Sequence, residues 1–233
     1  MRSWRLSEIE TPDGSRSPIV LHSGDEGRAV LIGLQPGQEL GDHQVKEHAF
    51  LVVVDPGADG ARLQLELAGT GATCAGILIT HSHWDHLGGV ADLAEGTGAK
   101  VYMPRIEAPV LARPYEWYPD VQVRPYEADV LLDGGETIEL AGISFDTLHV
   151  PGHSPGHLAY YAEGALFSGD VLFAGSVGRT DLPYTDWETL VESIRTLMER
   201  FPPETIVYSG HGPETTLGAE RERNPFLTEL RAS

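Results

Sequence analysis

The chain has 233 residues, 41% of them hydrophobic, and its 35 acidic against 16 basic side chains give a formal charge of −19. That balance argues against a nucleic-acid partner, whose phosphates demand lysine and arginine stripes, and against adsorption to anionic lipid. The length suits one well-buried domain, no apolar run approaches the roughly 18 residues of a membrane span, the start lacks a signal-peptide core, and Cys74 alone forms no internal disulfide, so a cytoplasmic protein is expected.

In chain order, residues 19–21, 29–34 and 50–54 read as strands, the last ending at Asp55-Pro56-Gly57. Residues 61–68 read as a short helix and 77–80 as a buried strand. A second helix over 88–95 closes at Gly96 and Gly98, and a strand follows at 101–103. The 105–113 stretch is helical in pattern but carries Pro109, which weakens it. Residues 137–140, 143–150, 158–161 and 165–167 form a run of strands. The clearest helix spans 187–201: Trp187, Leu190, Val191, Ile194, Leu197, Met198 and Phe201 recur at three- and four-residue spacing, which assigns that stripe to the core. Asp186 is its expected N-cap and Pro202-Pro203 its stop. Two strand-plus-helix halves suggest an α/β fold layered as αββα.

One six-residue run stands out: His81-Ser82-His83-Trp84-Asp85-His86. Ligands at i and i+2 would point to nearly opposite sides of a helix, so the cluster is expected to be a loop at the end of the 77–80 strand. Open α/β sheets commonly carry their sites there. Further candidates sit in turn-rich settings: His153 in Pro151-Gly152-His153-Ser154-Pro155-Gly156, Asp170 in Ser168-Gly169-Asp170, and His211 in Ser209-Gly210-His211-Gly212-Pro213. Imidazole and carboxylate suit zinc, and also iron or manganese. Seven such groups in four strand-end loops point to metal rather than to seven unrelated solvated side chains.

With these motifs the chain resembles the metallo-β-lactamase-fold hydrolases, and within them the small glyoxalase II-like enzymes, the hydroxyacylglutathione hydrolases. The matching stretches are Thr80 to His86 with Leu87-Gly88-Gly89, residues 151–157, 168–170, Gly178-Arg179-Thr180-Asp181 and 209–216, in the family's order. The resemblance implies a four-layer αββα sandwich over residues 49–233. It further implies that His81, His83 and His153 hold one metal, that Asp85, His86 and His211 hold a second, and that Asp170 bridges them. Residues 1–48 fit the family less well. Gln35-Pro36-Gly37-Gln38-Glu39-Leu40, with His43 and His48, is similar to the opening half of a small cupin barrel. No second cupin motif follows, so this β-rich segment is expected to replace or extend the sheet's first hairpin rather than to bind metal.

The expected cofactors are two divalent ions, zinc first, with iron or manganese as alternatives. A water bridging two such ions ionises near neutral pH, and the hydroxide, held at the metals through Asp85 and Asp170, can attack a carbonyl. A thiolate leaves readily because thiols ionise around pH 8.5, whereas an amide nitrogen needs an acid that the motifs do not offer. A small-molecule thioester is therefore the expected substrate. Two dications against two carboxylates and a hydroxide leave the centre about +1, so overall acidity does not forbid an anionic substrate.

Asp55 and His157 are expected to orient ligands from behind, and His149 to do likewise or simply to pack. Arg179 is a candidate for a substrate carboxylate, with an ion pair to Asp181 or Asp186 as its alternative. Tyr115, Trp117 and Tyr118 could wall the pocket or fill the core. Two rival functions remain. One is a persulfide dioxygenase using a single iron on His81, His153 and Asp170, which the complete second ligand set disfavours. The other is a cupin-like binding module on a metal-domain scaffold.

Overall fold

Why two sheets form is visible in how the strands bury their faces. In the computed structural model, which describes residues 19–24, 27–32 and 49–231, β3 (Ala49–Val54) turns Leu51 and Val53 to one apolar cluster and Val52 to another. A strand buried on both faces reads as a continuous apolar run, and its pleat deals alternate side chains to two cores. Around it lies a six-stranded sheet in the order β1 (Ile19–Gly24), β2 (Gly27–Ile32), β3, β4 (Thr73–Leu78), β5 (Val101–Pro104), β6 (Val130–Leu132). Pairing is antiparallel between β1 and β2 and parallel thereafter. Residues 33 and 34 of the expected 29–34 strand, the cupin-like 35–40 stretch, His43 and His48 lie outside the described residues.

The second sheet runs β14 (Thr215–Thr216), β13 (Ile206–Ser209), β10 (Ala165–Gly169), β9 (Leu158–Ala162), β8 (Ile143–His149), β7 (Thr137–Leu140). A small hairpin, β11 (Leu172–Phe173) with β12 (Ser176–Val177), stands apart. Three apolar clusters separate four layers. The first packs the helices α1 (Gly60–Thr70), α3 (Val90–Thr97) and α4 (Ala108–Ala112) on the first sheet. The second, with Leu78, Phe145, Leu158 and Tyr160, lies between the sheets. The third joins the second sheet to α5 (Trp187–Arg200) and, through Leu217, to α6 (Leu217–Arg223). The αββα layering expected from the sequence is the architecture found.

In α5, Asp186 accepts from the Thr189 amide at 2.8 Å, and Leu190, Val191, Ile194, Leu197 and Met198 are buried. Truncating Ile194 or Leu197 to alanine would cost about 2–5 kcal/mol. Trp187 departs from the expected stripe: it is 40% exposed, because it occupies the first turn, at the rim of the core. The 105–113 helix shrinks to five residues with Pro109 in its first turn, the place in a helix where a missing N–H costs nothing. Among the described residues no helix is long and apolar enough to cross a membrane.

Candidate metal centre

The seven candidate ligands meet at one end of the two sheets. His81 and His83 follow β4, whose pairing is prolonged by the Ile79 amide bonding to the Tyr102 carbonyl at 2.9 Å. The expected loop is only half right. It runs to His83, which is extended, and then Trp84–Leu87 forms a single helical turn, α2. Adjacent positions on a helix diverge by about 100°, and here Asp85 is half-buried while His86 is fully so. His153 comes from the β8–β9 connection, Asp170 from the end of β10 and His211 from the end of β13.

Two nitrogen-rich groups result. His83 Nδ1 lies 3.0 Å from His81 Nε2 and 2.9 Å from His153 Nε2. In the other group, His211 Nε2 is 3.1 Å and His86 Nε2 3.9 Å from Asp85 Oδ2. Asp170 stands between them: Oδ1 is 3.5 Å from His86 Nε2, while Oδ2 is 3.6 Å from His153 Nε2 and 3.5 Å from His211 Nε2. Within each of the two groups the potential ligand atoms lie within 4.8 Å of one another.

Hydrogen bonds behind the rings dictate which nitrogen is free. The Asp55 carboxylate takes the Thr80 amide at 2.8 Å, the Thr80 hydroxyl at 2.7 Å and His86 Nδ1 at 3.0 Å. Since the Thr80 hydroxyl spends its proton on Asp55, His81 Nδ1, 2.9 Å away, must donate to the Thr80 oxygen. His153 Nδ1 donates to the Arg179 main-chain carbonyl at 2.9 Å. For neutral rings this leaves the Nε2 lone pairs of His81, His86 and His153 aimed at the same space. Asp55, His81 and His86 also lie close enough together to form a third cation group. The three donors already on Asp55, one of them the far side of the His86 ring, make it an orienting group instead.

Burial, then the charge of neighbouring imidazoles, holds His81 and His157 well below the ordinary histidine value. Burial and His153 bring His83 down to about 4, and burial lowers His153. Burial opposes a charge on His86 too, but the Asp55 and Asp170 carboxylates outweigh it and raise the group well above its usual value. His211 is raised chiefly by its bond to Asp85. Against burial, His211 and His86 draw Asp85 down to about 2.

The site is also suited to cations by what it lacks. His86 Nε2 and Asp170 Oδ1, both buried, have no hydrogen-bond partner. A buried ring nitrogen and a carboxylate oxygen that face one another at 3.5 Å without a hydrogen bond call for positive charge between them. The residues therefore fit a pair of divalent ions.

Other expectations fare differently. His157 Nε2 accepts from the Asp170 amide at 3.1 Å and its ring stacks on His81. Arg179 is exposed and its guanidinium is paired with Asp181 at 2.7 and 2.8 Å, while Asp186 caps α5. It is the main-chain carbonyl of Arg179 that touches the centre. His149 is exposed and bonds the Pro155 carbonyl at 2.9 Å, tethering the His153 loop from outside. Tyr115 and Trp117 are exposed rather than core, whereas the Tyr118 hydroxyl donates to the Ser82 carbonyl at 3.1 Å. One buried participant escaped the sequence reading. Glu107, 2% exposed, accepts from the amides of Ser82 and Gly156 and from the Ser154 hydroxyl. Its partners lie 25 to 49 residues away, so no local pattern marks it.

Residues 45–211 match the family described as the metallo-beta-lactamase superfamily. The hydroxyacylglutathione hydrolase GloC of Haemophilus influenzae is 36% identical over 185 residues, covering 75% of this chain and 86% of that protein. Among solved structures, the BLEG-1 B3 metallo-beta-lactamase aligns with a TM-score of 0.71 at 36% identity, covering 90% of this chain and 92% of its own. TTHA1623 in a di-iron-bound form aligns with a TM-score of 0.66 at 41% identity, covering 75% and 88%.

Proposed function

The chain belongs to the metallo-β-lactamase superfamily, and from that premise we propose that it is a cytoplasmic, dinuclear metal-dependent hydrolase of small acyl thioesters of the hydroxyacylglutathione kind. His81, His83 and His153 would hold one ion, and Asp85, His86 and His211 the other. The position of Asp170 between the groups, with Oδ2 3.6 Å from His153 Nε2 of one and 3.5 Å from His211 Nε2 of the other, is the observation that carries this reading. Zinc is our first choice of metal, since imidazole and carboxylate ligands suit it; the di-iron neighbour keeps iron as the alternative, and manganese shares the same ligand chemistry.

Two such ions, when bound, acidify a water and stabilise a developing oxyanion. The chain's own residues supply the rest. Asp85 and Asp170 would help hold the cations that keep the nucleophile at the centre, and Asp55 and Thr80 fix the ring orientations. The nearby groups with a proton-bearing form suited to a leaving group are already engaged: Asp55 and Glu107 by three donors each, and the Tyr118 hydroxyl by the Ser82 carbonyl. Burial, with Glu107 and Asp85 nearby, also pushes Tyr118 up to about 12. A leaving group that departs unaided is therefore favoured, and a thiolate does so.

The test is metal content by mass spectrometry on protein purified without added metal, together with hydrolysis of an acyl-glutathione thioester. Two ions per chain and turnover are expected, and Asp170→Ala should lose more kcat/KM than any single histidine-to-alanine change among the ligands. One ion per chain, unchanged on adding zinc or manganese, would sink the dinuclear assignment. Oxygen uptake with glutathione persulfide and no thioester cleavage would favour the single-iron dioxygenase. Metal uptake with neither activity would leave the binding-module alternative.

A further inference from the structure

We infer that Glu107 is a positioning residue for the three-histidine half of the centre, clamping two separate ligand loops into one geometry. The inference rests on the metal reading above and extends it to a residue outside the ligand set. Glu107 precedes α4 and is 2% exposed. Its Oε2 accepts from the Ser82 amide at 2.5 Å, and its Oε1 accepts from the Gly156 amide at 2.7 Å and from the Ser154 hydroxyl. Ser82 is the residue between His81 and His83, and Ser154 directly follows His153. One carboxylate thus grips the backbone beside all three imidazoles, across a chain separation that no helix or strand spans.

The cost of this arrangement argues for a use. A buried carboxylate without a cation is expensive, and among the described residues no lysine or arginine pairs with Glu107. Three charge-assisted hydrogen bonds offset its desolvation. The Ser82 peptide is fixed twice, since its carbonyl accepts from Tyr118 while its amide donates to Glu107. With that peptide held, the backbone positions of His81 and His83 are fixed relative to one another. The second group is held by other means: His86 by Asp55, and His211 by its place at the end of β13.

An amide cannot replace this carboxylate. Both oxygens accept from main-chain amides, so either orientation of a glutamine directs an NH2 group at an N–H donor. Glu107→Gln therefore keeps the volume and releases one of the two loops. Glu220 provides a matched control. It is also buried, and it accepts from the Gly175 amide, the Asn224 side chain and the Thr215 hydroxyl, touching neither the 81–86 nor the 151–157 loop.

The experiment titrates metal-free full-length protein with cobalt(II), following the visible ligand-field bands against a competing chelator, alongside thermal melts of the metal-free proteins. Wild type should take two ions. Glu107→Gln should bind one at wild-type affinity and the other about 10–100-fold more weakly. Glu220→Gln should lower the melting temperature and leave the three-histidine ion unmoved. Should Glu107→Gln fail to fold, Ser154→Ala removes one of the three donors and should weaken the same ion by a smaller factor. Wild-type affinity for both ions in the folded Glu107 variant, or in Ser154→Ala if that is the variant available, overturns the inference. So does an equal weakening of both ions in the Glu107 and Glu220 variants, the mark of a merely structural carboxylate. A wild type that takes up no cobalt would remove the dinuclear reading and this inference with it, a failure visible before any variant is made.

Discussion

Replacing Gly210 by alanine tests how tightly the centre is built, because the added atom has a calculable place. A Cβ on Gly210 would lie 2.2 Å from Asp170 Oδ1 and 2.6 Å from His86 Cε1. Real Cβ atoms essentially never approach closer than 3.0 Å, so the carboxylate must move from 2.2 to at least 3.0 Å, a shift of no less than 0.8 Å. The Gly210 amide is anchored to the Gly169 carbonyl at 2.9 Å, so the backbone has little room to retreat. Misplacing a reacting constellation by about 1 Å can cost about 100-fold in rate, or roughly 2.7 kcal/mol of transition-state stabilisation. Overpacking should separately cost about 1–3 kcal/mol of stability. Gly164→Ala separates the two effects. Gly164 has φ +86 with nothing within 4 Å, so alanine there would meet only backbone strain of about 1–2 kcal/mol. The assay is kcat/KM on an acyl-glutathione thioester at saturating metal, with thermal melts of both variants. Gly210→Ala should be folded and about 100-fold slower, and Gly164→Ala less stable but equally active. Full metal content with unimpaired turnover in Gly210→Ala would refute the reasoning.

Two further outcomes are expected. Burial opposes ionisation of Glu136, but its bonds from the Asp133 amide and the Thr147 hydroxyl, both 2.7 Å, hold the carboxyl below its ordinary 4.5. A depressed folded value stabilises the protein above the unfolded pKa and is lost as pH falls through the folded one. The melting-temperature gap between wild type and Glu136→Gln should therefore close as pH drops below 4.5; a gap constant from neutral to strongly acidic pH would contradict this. Removing residues 1–48 should expose the edge of β3, which pairs with β2 in parallel register from Arg28↔Ala49 to Ile32↔Val53, and the truncated protein should aggregate. A soluble truncation that keeps metal and activity would show the segment to be appended.

Most of the layering was legible because it rests on periodicity. The α5 stripe and the apolar runs at 50–54 and 77–80 are patterns that burial imposes on neighbouring residues, and they mark their elements directly. What escaped was short or non-local. β6 has three residues and is paired only to β5, and β13 has four, paired parallel to β10 residues 40 to 41 positions earlier in the chain. The α6 helix left a readable signal that went unused: Thr216 accepts from the Ala219 amide as an N-cap. At the site, residue types and glycine-rich settings marked the seven side chains that the fold brings together. The helical turn at Trp84–Leu87 left no pattern to read, because four residues are too few to show a helical period. For Arg179 the sequence offers a substrate carboxylate and an ion pair to Asp181 or Asp186 alike, and it is the fold that gives the guanidinium to Asp181.

The candidate ligands are divided between the two sheets. His81, His83, Asp85 and His86 follow β4 of the first, while His153, Asp170 and His211 follow strands of the second. Each nitrogen-rich group draws on both, so any ion held by either group exists only while the sheets are docked. Such an ion is a rivet across a seam whose remaining cohesion is mainly apolar, through Leu78, Phe145, Leu158 and Tyr160. By linkage, one that binds only the docked state adds about 2.7 kcal/mol when free metal is 100 times its dissociation constant. The same division of ligands that would build a hydrolytic centre would thus tie the cohesion of the whole sandwich to the local supply of metal.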